Sequence, residues 1–434
     1  MAVGWKFKVA HMISQQGRPP QRFVKATLVA VSALTVIASI TLSPALPGLR
    51  VRFSSEPNAD VLIRPIISIL ALFIVIGSPF AGVLLDRFGR KRLLIAATLI
   101  YGTVGAAGYV LEDLTLLLAS RAILGLTVAI TMTGASVLIG DYYTGVERSR
   151  LTGIQAAIMN FSGASALLLS GVLAETSWHL PFLIYLVGLI VAMSVIVTIH
   201  EPDRQLRTPP VSKPETSVTE RAVEQTLPIA TLFVIYGIMA LAMLLFFFVP
   251  LQLPFRLAAL AGASSSQSGL AVAAALTCTG LVALLNPTLS RLVGRWGRIA
   301  AAYFGLGAGL IIIGTGSSFP AIVFGSFLTR IGQGFILPSL TLWIIEISPA
   351  SRRARALSGL TASIFLGQFI SPFVSQPLSV ALGLPIMYVG AGIAALGLAV
   401  IAVLVAMSAV RNAAKRDGAS VLTDAVLSSS SLKG

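Results

Sequence analysis

The sequence has little charge, almost no cysteine and few histidines. Only 11% of its 434 residues are Asp, Glu, Lys or Arg, against about a quarter in a typical soluble domain. Too few charges are present to wet a soluble surface, and the mean hydropathy of +0.90 agrees. The single cysteine, Cys278, lies in an apolar run and has no partner for an intrachain disulfide. The three histidines, His11, His179 and His200, all fall outside the apolar runs. That leaves no donor set for a metal site and no cluster for an integral-membrane enzyme. No Gly-x-x-x-x-Gly-Lys-Ser/Thr loop occurs, which argues against ATP drive within the chain. No cofactor or metal is expected.

What the sequence does have is long apolar runs without alternation. A closed barrel needs alternation, so these runs are read as membrane helices. Runs near the ~20 residues that cross a bilayer fall at 26–47, 63–85, 93–111, 115–140, 151–174, 180–199, 229–251, 268–289, 299–317, 320–345, 356–381 and 384–408. The fold class is therefore all-α integral membrane, with twelve spans. The first run follows a basic stretch, as a signal peptide would, but it is too long and is read as span 1. Residues 1–25 form a basic amino terminus, 26–199 and 229–408 two six-span bundles, and 409–434 a tail read as disordered. Between the bundles, residues 200–228 carry Pro202, Pro209, Pro210 and Pro214 with nine charged residues, and read as a flexible linker.

The net charge of +15 could suggest nucleic acid, but its distribution argues otherwise. On this map 25 of the 31 Lys and Arg residues lie on one side; Arg50, Arg52, Arg64 and Arg256 lie on the other, and Arg121 and Arg330 within spans. That asymmetry is the positive-inside rule. It places both termini and the linker in the cytoplasm, with no nucleic-acid partner.

The densest charge cluster is Asp86-Arg87-Phe88-Gly89-Arg90-Lys91-Arg92, between spans 2 and 3, with Gly82 four residues before Asp86. This pattern resembles the loop between the second and third helices of the major facilitator superfamily. The halves also resemble each other. Arg87-Phe88-Gly89-Arg90 recurs as Arg295-Trp296-Gly297-Arg298, and Arg121-x-x-x-Gly125 as Arg330-x-x-x-Gly334. Asp141 recurs as Glu346, and Leu151-Thr152-Gly153 as Leu357-Ser358-Gly359. All offsets lie near 205–209. Parallel six-helix repeats are the architecture of that superfamily. The resemblance covers roughly residues 25–408 and implies a secondary transporter, expected to act as a monomer, with a small-molecule substrate and the lipid bilayer as partners. The second copy has Gly294 where the first has Asp86, so a gate on these loops is expected to be asymmetric.

The resemblance implies a gating role for Asp86, Arg87, Gly89, Arg90 and Asp141. Asp86 would face the start of span 11 near Leu357, where a helix N-terminus favours an anion, and Arg90 would reach Asp141. The alternative is that these charges only set topology. Arg121 lies some six residues inside span 4, about 9 Å deep. A charge there is costly, so it should face the interior or a polar partner, unless it snorkels to the interface. The family pattern associates this arginine with coupling or substrate contact, and Arg330 is its symmetry mate. Gln155, Asn160, Tyr236, Gln333 and Gln368 are neutral polar residues in spans that could line a cavity with these two arginines. Gly163 and Gly171 read as close-packing positions.

None of the sixteen acids falls in the middle of a span, and span 1 reads Ala38-Ser39-Ile40-Thr41-Leu42-Ser43-Pro44 where related proton antiporters often carry a carboxylate. The usual titrating group for proton coupling is missing. The leading expectation is export of small amphipathic molecules, neutral or anionic, from a bacterial cytoplasm across the inner membrane, as in multidrug efflux. That direction rests on the resemblance. The alternative is a facilitator or exporter of a metabolite such as a sugar or siderophore, without proton coupling.

Overall fold

The computed structural model describes residues 21–55, 63, 65–201, 228–260, 263–292, 294–349 and 352–431, without side chains at 149, 280, 281, 283–292, 354 and 409–431. The predicted amino terminus up to residue 20 and the linker between 202 and 227 lie outside this set.

All regular elements among the described residues are helices. The first half comprises α1 (Gln21–Ile40), α2 (Leu46–Arg52), α3 (Pro65–Phe88), α4 (Arg90–Ala106), α5 (Leu114–Tyr142), α6 (Gly145–Thr176), a 3-10 stretch (Leu180–Leu186) and α7 (Val187–Thr198). The second comprises α8 (Ile229–Phe246), α9 (Phe248–Ala259), α10 (Ser265–Leu292), α11 (Arg295–Thr315), α12 (Phe319–Ile347) and α13 (Arg353–Ser431). Ten segments among the described residues are long and apolar enough to cross a membrane. One of them, Arg355–Ser408, has 54 residues, far more than the ~20 of a single crossing. It breaks at Gly383, whose φ of 79° suits glycine, two residues before Pro385. Counting that break and α10, the helices are consistent with twelve crossings.

Two boundaries differ from the sequence expectation. The sixth helix begins at Gly145, inside a stretch of charge, because a helix end that projects from lipid tolerates charged residues. The tail is not an irregular coil: α13 keeps a helical backbone to Ser431, since no proline follows Pro385 to stop it.

Each half has its own apolar core. Leu34, Leu70, Leu124 and Val128 centre the first; Met239, Phe246, Leu306 and Leu340 centre the second. The duplication extends to four buried tyrosines. Tyr101 on α4 donates to the carbonyl of Leu34 at 3.0 Å, and Tyr303 on α11 to Ile238 at 2.7 Å. Tyr185 donates to Ala38 at 3.4 Å, and Tyr388 to Phe248 at 3.0 Å. Each half thus ties its third and sixth crossings to its first by a phenolic hydroxyl, which meets a carbonyl rather than an unsatisfied apolar wall. Phe246, Phe247 and Phe248 are all buried at the joint of α8 and α9, so this aromatic triplet packs the core.

The halves meet most closely where α6 crosses α10. A Cβ on Gly171 would lie 2.8 Å from the Ser265 carbonyl oxygen, and one on Gly269 would lie 2.6 Å from that of Leu167. Only glycine allows the two backbones that close.

Candidate substrate cleft and gate

The basic face of the molecule carries the loop around Arg90, the start of α6 and the start of α13. On the opposite face the halves are joined. Ser43 donates its hydroxyl to the Pro250 carbonyl. Glu175, at the end of α6, accepts from the Ser266 hydroxyl at 2.6 Å and its amide at 3.3 Å. Arg50 lies 5.9 Å from the centre of the Phe255 ring. Toward the basic face α6 is exposed on most sides, with Phe161 69% exposed. Nearer the opposite face the same helix buries Leu167 and Ser170 completely.

Between the halves on the basic side lies a cleft of about 630 Å³. Val75, Ser78 and Pro79 of α3 form one wall, and Met132, Thr133, Ser136, Val137, Gly140 and Asp141 of α5 another. Leu357, Ser358, Thr361, Ala362 and Phe365 of α13 face them from the second half, and Arg148 of α6 stands at the mouth. The conformation is closed on the opposite face and open on the basic one.

The gate loop turns on Gly89, whose φ is 93°, a backbone state that costs other L-residues roughly 1–2 kcal/mol. Arg90 opens α4. Its guanidinium is 11% exposed, pairs with Asp141, and lies 3.8 Å from Asp86. The first amides of α4 would lack partners inside the helix. Glu201 takes them: its carboxylate accepts from the Arg90 amide at 2.7 Å and the Lys91 amide at 2.9 Å. Lys91 Nζ donates to the Ile196 carbonyl at 2.8 Å, and Tyr142 donates to that of His200. The start of the linker is thereby pinned to the gate loop. In the second half Arg295 pairs with Glu346 and lies 4.8 Å from the centre of the Trp343 ring. Trp296 meets Trp343 edge-on at 5.0 Å. An aromatic pair thus accompanies the ion pair in the copy that lacks the Asp86 carboxylate.

The sequence-predicted residues divide. Arg90 and Asp141 are together. Asp86 does not line the cleft that Leu357 borders, and its side chain is 60% exposed. Arg87 lies against the adjacent Phe88 ring. None of the seven predicted substrate or coupling residues lines the cleft. Arg121 is 1% exposed and does not snorkel. Its Nη2 donates to the Gly105 carbonyl at 2.7 Å, and its guanidinium lies 4.8 Å from the Tyr185 ring centre and 5.0 Å from that of Phe182. It therefore joins α4, α5 and the 3-10 stretch within one half. Arg330, equally buried, reaches Gln333 one turn along α12. Gln155 donates to the Ser32 hydroxyl at 2.7 Å, bridging α6 and α1. Asn160 turns back to the Ala156 carbonyl at 2.9 Å. Tyr236 donates to the Ala356 carbonyl at 2.8 Å and covers Gly359. Gln368 is buried. Gln368 Nε2 has no hydrogen-bond partner among the described residues; each of the other polar side chains finds a backbone or side-chain partner instead of the cleft.

Sequence reasoning missed Arg148, Glu201 and the cleft hydroxyls. The hydroxyls do leave a trace, since Thr133 with Ser136 and Ser358 with Thr361 are each three residues apart in otherwise apolar helices and share a face.

Residues 28–264 and 252–430 both match the family model of the Major Facilitator Superfamily. The chain belongs to the major facilitator superfamily. The superfamily fold is also that of a D-xylose-proton symporter, whose crystal structure matches 88% of this chain and 97% of its own with a TM-score of 0.72 at 16% identity, a likeness of fold alone. Quinolone resistance protein NorA of Staphylococcus aureus is 27% identical over 140 residues, 32% of this chain and 36% of NorA. Niacin transporter NiaP of Acinetobacter baylyi is 34% identical over 120 residues, 27% of each chain. The chain spans about a third of the length of the curated relatives it matches. Family membership and the long apolar helices make it an integral-membrane protein.

Proposed function

We propose that this transporter exports small amphipathic molecules, neutral or anionic, by alternating access of its two halves. The cleft carries this reading. Val75, Pro79, Met132, Val137, Leu357 and Phe365 give it apolar walls, set with the hydroxyls of serine and threonine. The one carboxylate among its described lining residues, Asp141, is matched by Arg90, so a dication meets no unpaired acid there. Export is supported by the likeness to NorA. The basic face suits the cytoplasmic side of a bacterial inner membrane, with both termini on that side and no role for nucleic acid. The protein acts as a monomer.

Proton coupling through a mid-membrane acid is not expected. Glu112 and Asp113 sit between Tyr109 and Leu114, where Asp113 caps α5 by accepting from the Leu116 amide at 2.8 Å. Asp86, Asp141, Glu175 and Glu346 all lie at helix ends. The five hydroxyl-bearing residues of the cleft favour a second reading, a facilitator or exporter of a metabolite such as a sugar or siderophore.

The test is efflux from proteoliposomes with and without an imposed pH gradient. Solute movement down its own gradient should persist without the pH gradient, and Glu112→Gln and Asp113→Asn should leave it unchanged. Proton exchange lost only on neutralising Glu112 or Asp113 would overturn the uncoupled reading. Asp86→Asn should reduce cysteine cross-linking between the ends of α3 and α13 in the state closed on the basic face. Unchanged cross-linking with normal transport would remove Asp86 from the gate.

A further inference from the structure

Among the described residues, two charged side chains line the cleft, Asp141 and Arg148. Asp141 is paired from behind by Arg90. Arg148 lies beside Gly140, with Nη2 3.4 Å from where a Cβ on that glycine would sit, and its guanidinium has no ion pair among the described residues. The cleft therefore carries one uncompensated positive charge, at its mouth.

The hydroxyls sort in the same direction. Ser78 donates to the Ile74 carbonyl at 2.6 Å, Ser136 to Met132 at 2.9 Å and Thr361 to Leu357 at 3.3 Å. Those three protons are directed into their own helices. Ser358 and Thr133 make no such bond among the described residues, so each has a proton to offer a ligand. Ser358 is on the second half, five residues from the start of α13, near the level of the mouth. Thr133 is on the first half, seven residues before Gly140, which is about 10 Å deeper at ~1.5 Å per residue. Val75 and Phe365 form the deep apolar end.

We infer that Arg148 and Ser358 form a binding site for the anionic head, a carboxylate or sulfonate, of an amphipathic monoanion whose apolar body lies toward Val75 and Phe365. Arginine's planar fork accepts such a head by two parallel hydrogen bonds. Because Arg148 belongs to one half and Ser358 to the other, the head is a bridge that draws the mouth together as the halves rock. The inference rests on the amphipathic-solute reading above and narrows it. It also moves the anion contact away from Arg121 and Arg330, whose guanidinium groups lie buried within single halves.

Three probes with one ring system test it: 2-naphthoate, 2-naphthalenemethanol and 2-naphthylmethylammonium. Each is measured by equilibrium dialysis against the full chain in phosphatidylcholine nanodiscs, with empty nanodiscs subtracted. The naphthoate should bind about tenfold more tightly than the alcohol, which corresponds to about 1.4 kcal/mol. Arg148→Gln should bring the two within about twofold while leaving the alcohol unchanged, which also shows that the variant is folded. Arg148→Lys should retain part of the preference, and Arg150→Gln, a neighbouring loss of the same charge, should retain all of it. Preference that survives Arg148→Gln, or loss of all three probes together in that variant, would overturn the site. Equal binding of naphthoate and alcohol to the unaltered chain would overturn the anion site alone. If no probe binds above empty nanodiscs, the amphipathic-solute reading fails and this site fails with it.

Discussion

Replacing Arg121 separates its energetic role from its functional one. The guanidinium donates to the Gly105 carbonyl at 2.7 Å and, through Nε, to the Ser120 hydroxyl at 3.3 Å, and it faces two rings at 4.8 and 5.0 Å. A hydrogen bond from a charged donor contributes about 1.5–3 kcal/mol, and each ring contact about 0.5–2 kcal/mol. Taking the charge out of water costs several kcal/mol in the other direction. The opposing contributions nearly cancel, so Arg121→Met, which keeps the volume without the charge, should change stability by no more than about 2 kcal/mol. Arg121→Ala leaves a void among buried rings and should lose about 2–5 kcal/mol. Arg121→Lys keeps the charge but lacks the flat fork that lies under both rings while reaching the carbonyl. Thermal unfolding in one detergent gives the stability order Met above Ala, and efflux from proteoliposomes at matched insertion gives the activity. All three variants should be inactive or nearly so. Full transport by Arg121→Met would show that the guanidinium has no role beyond filling its site. A loss well above 3 kcal/mol in that variant would show that its pairing outweighs its desolvation.

Gly171→Leu or Gly269→Leu should prevent the tight crossing of α6 and α10, because each Cβ would fall within 3 Å of a backbone carbonyl oxygen. Cysteines placed near Ser43 and Pro250 should then react faster with a membrane-impermeant thiol reagent, and unchanged reactivity would count against a seal on that face. Gly89→Ala should cost about 1–2 kcal/mol for its positive φ, and Glu201→Ala about 1 kcal/mol for the lost cap. If Glu201 pins the linker to the gate loop, its variant should also speed proteolysis between residues 202 and 227, and wild-type cleavage rates would refute that. Burial holds the His179 imidazole below its ordinary value; Glu112 opposes the shift and Arg52 adds to it. The unfolded chain then binds the extra proton first, so His179 contributes stability above its ordinary range, and that contribution fades as the pH falls through the lowered folded value. Between pH 7.5 and 5.5 the melting temperature should fall more for the unaltered chain than for His179→Phe, and parallel profiles would contradict the assignment.

The sequence by itself determined the solvent, the element type and the duplication. Lipid leaves a backbone no partner but itself, so long unalternating apolar runs become helices whatever their neighbours. The Arg-x-Gly-Arg loops and the Asp141 and Glu346 positions mark the repeat without reference to packing, and the family resemblance implied the pair of Arg90, which opens α4, with Asp141 near the end of α5. Tertiary structure decided which polar side chains meet the cleft. A residue such as Gln155, Tyr236 or Arg121 can turn toward a ligand or toward a backbone carbonyl, and in an apolar medium it takes the nearest acceptor. That choice depends on the rotation and approach of neighbouring helices, which one helix's periodicity does not carry. Arg148 reads as an ordinary topology signal until α5 and α13 are placed on either side of it. Glu201 reads as a linker charge until α4 offers it two amides. The open face itself is a property of how the two halves are tilted, set by the glycine crossing of α6 and α10 and by the bonds on the opposite face.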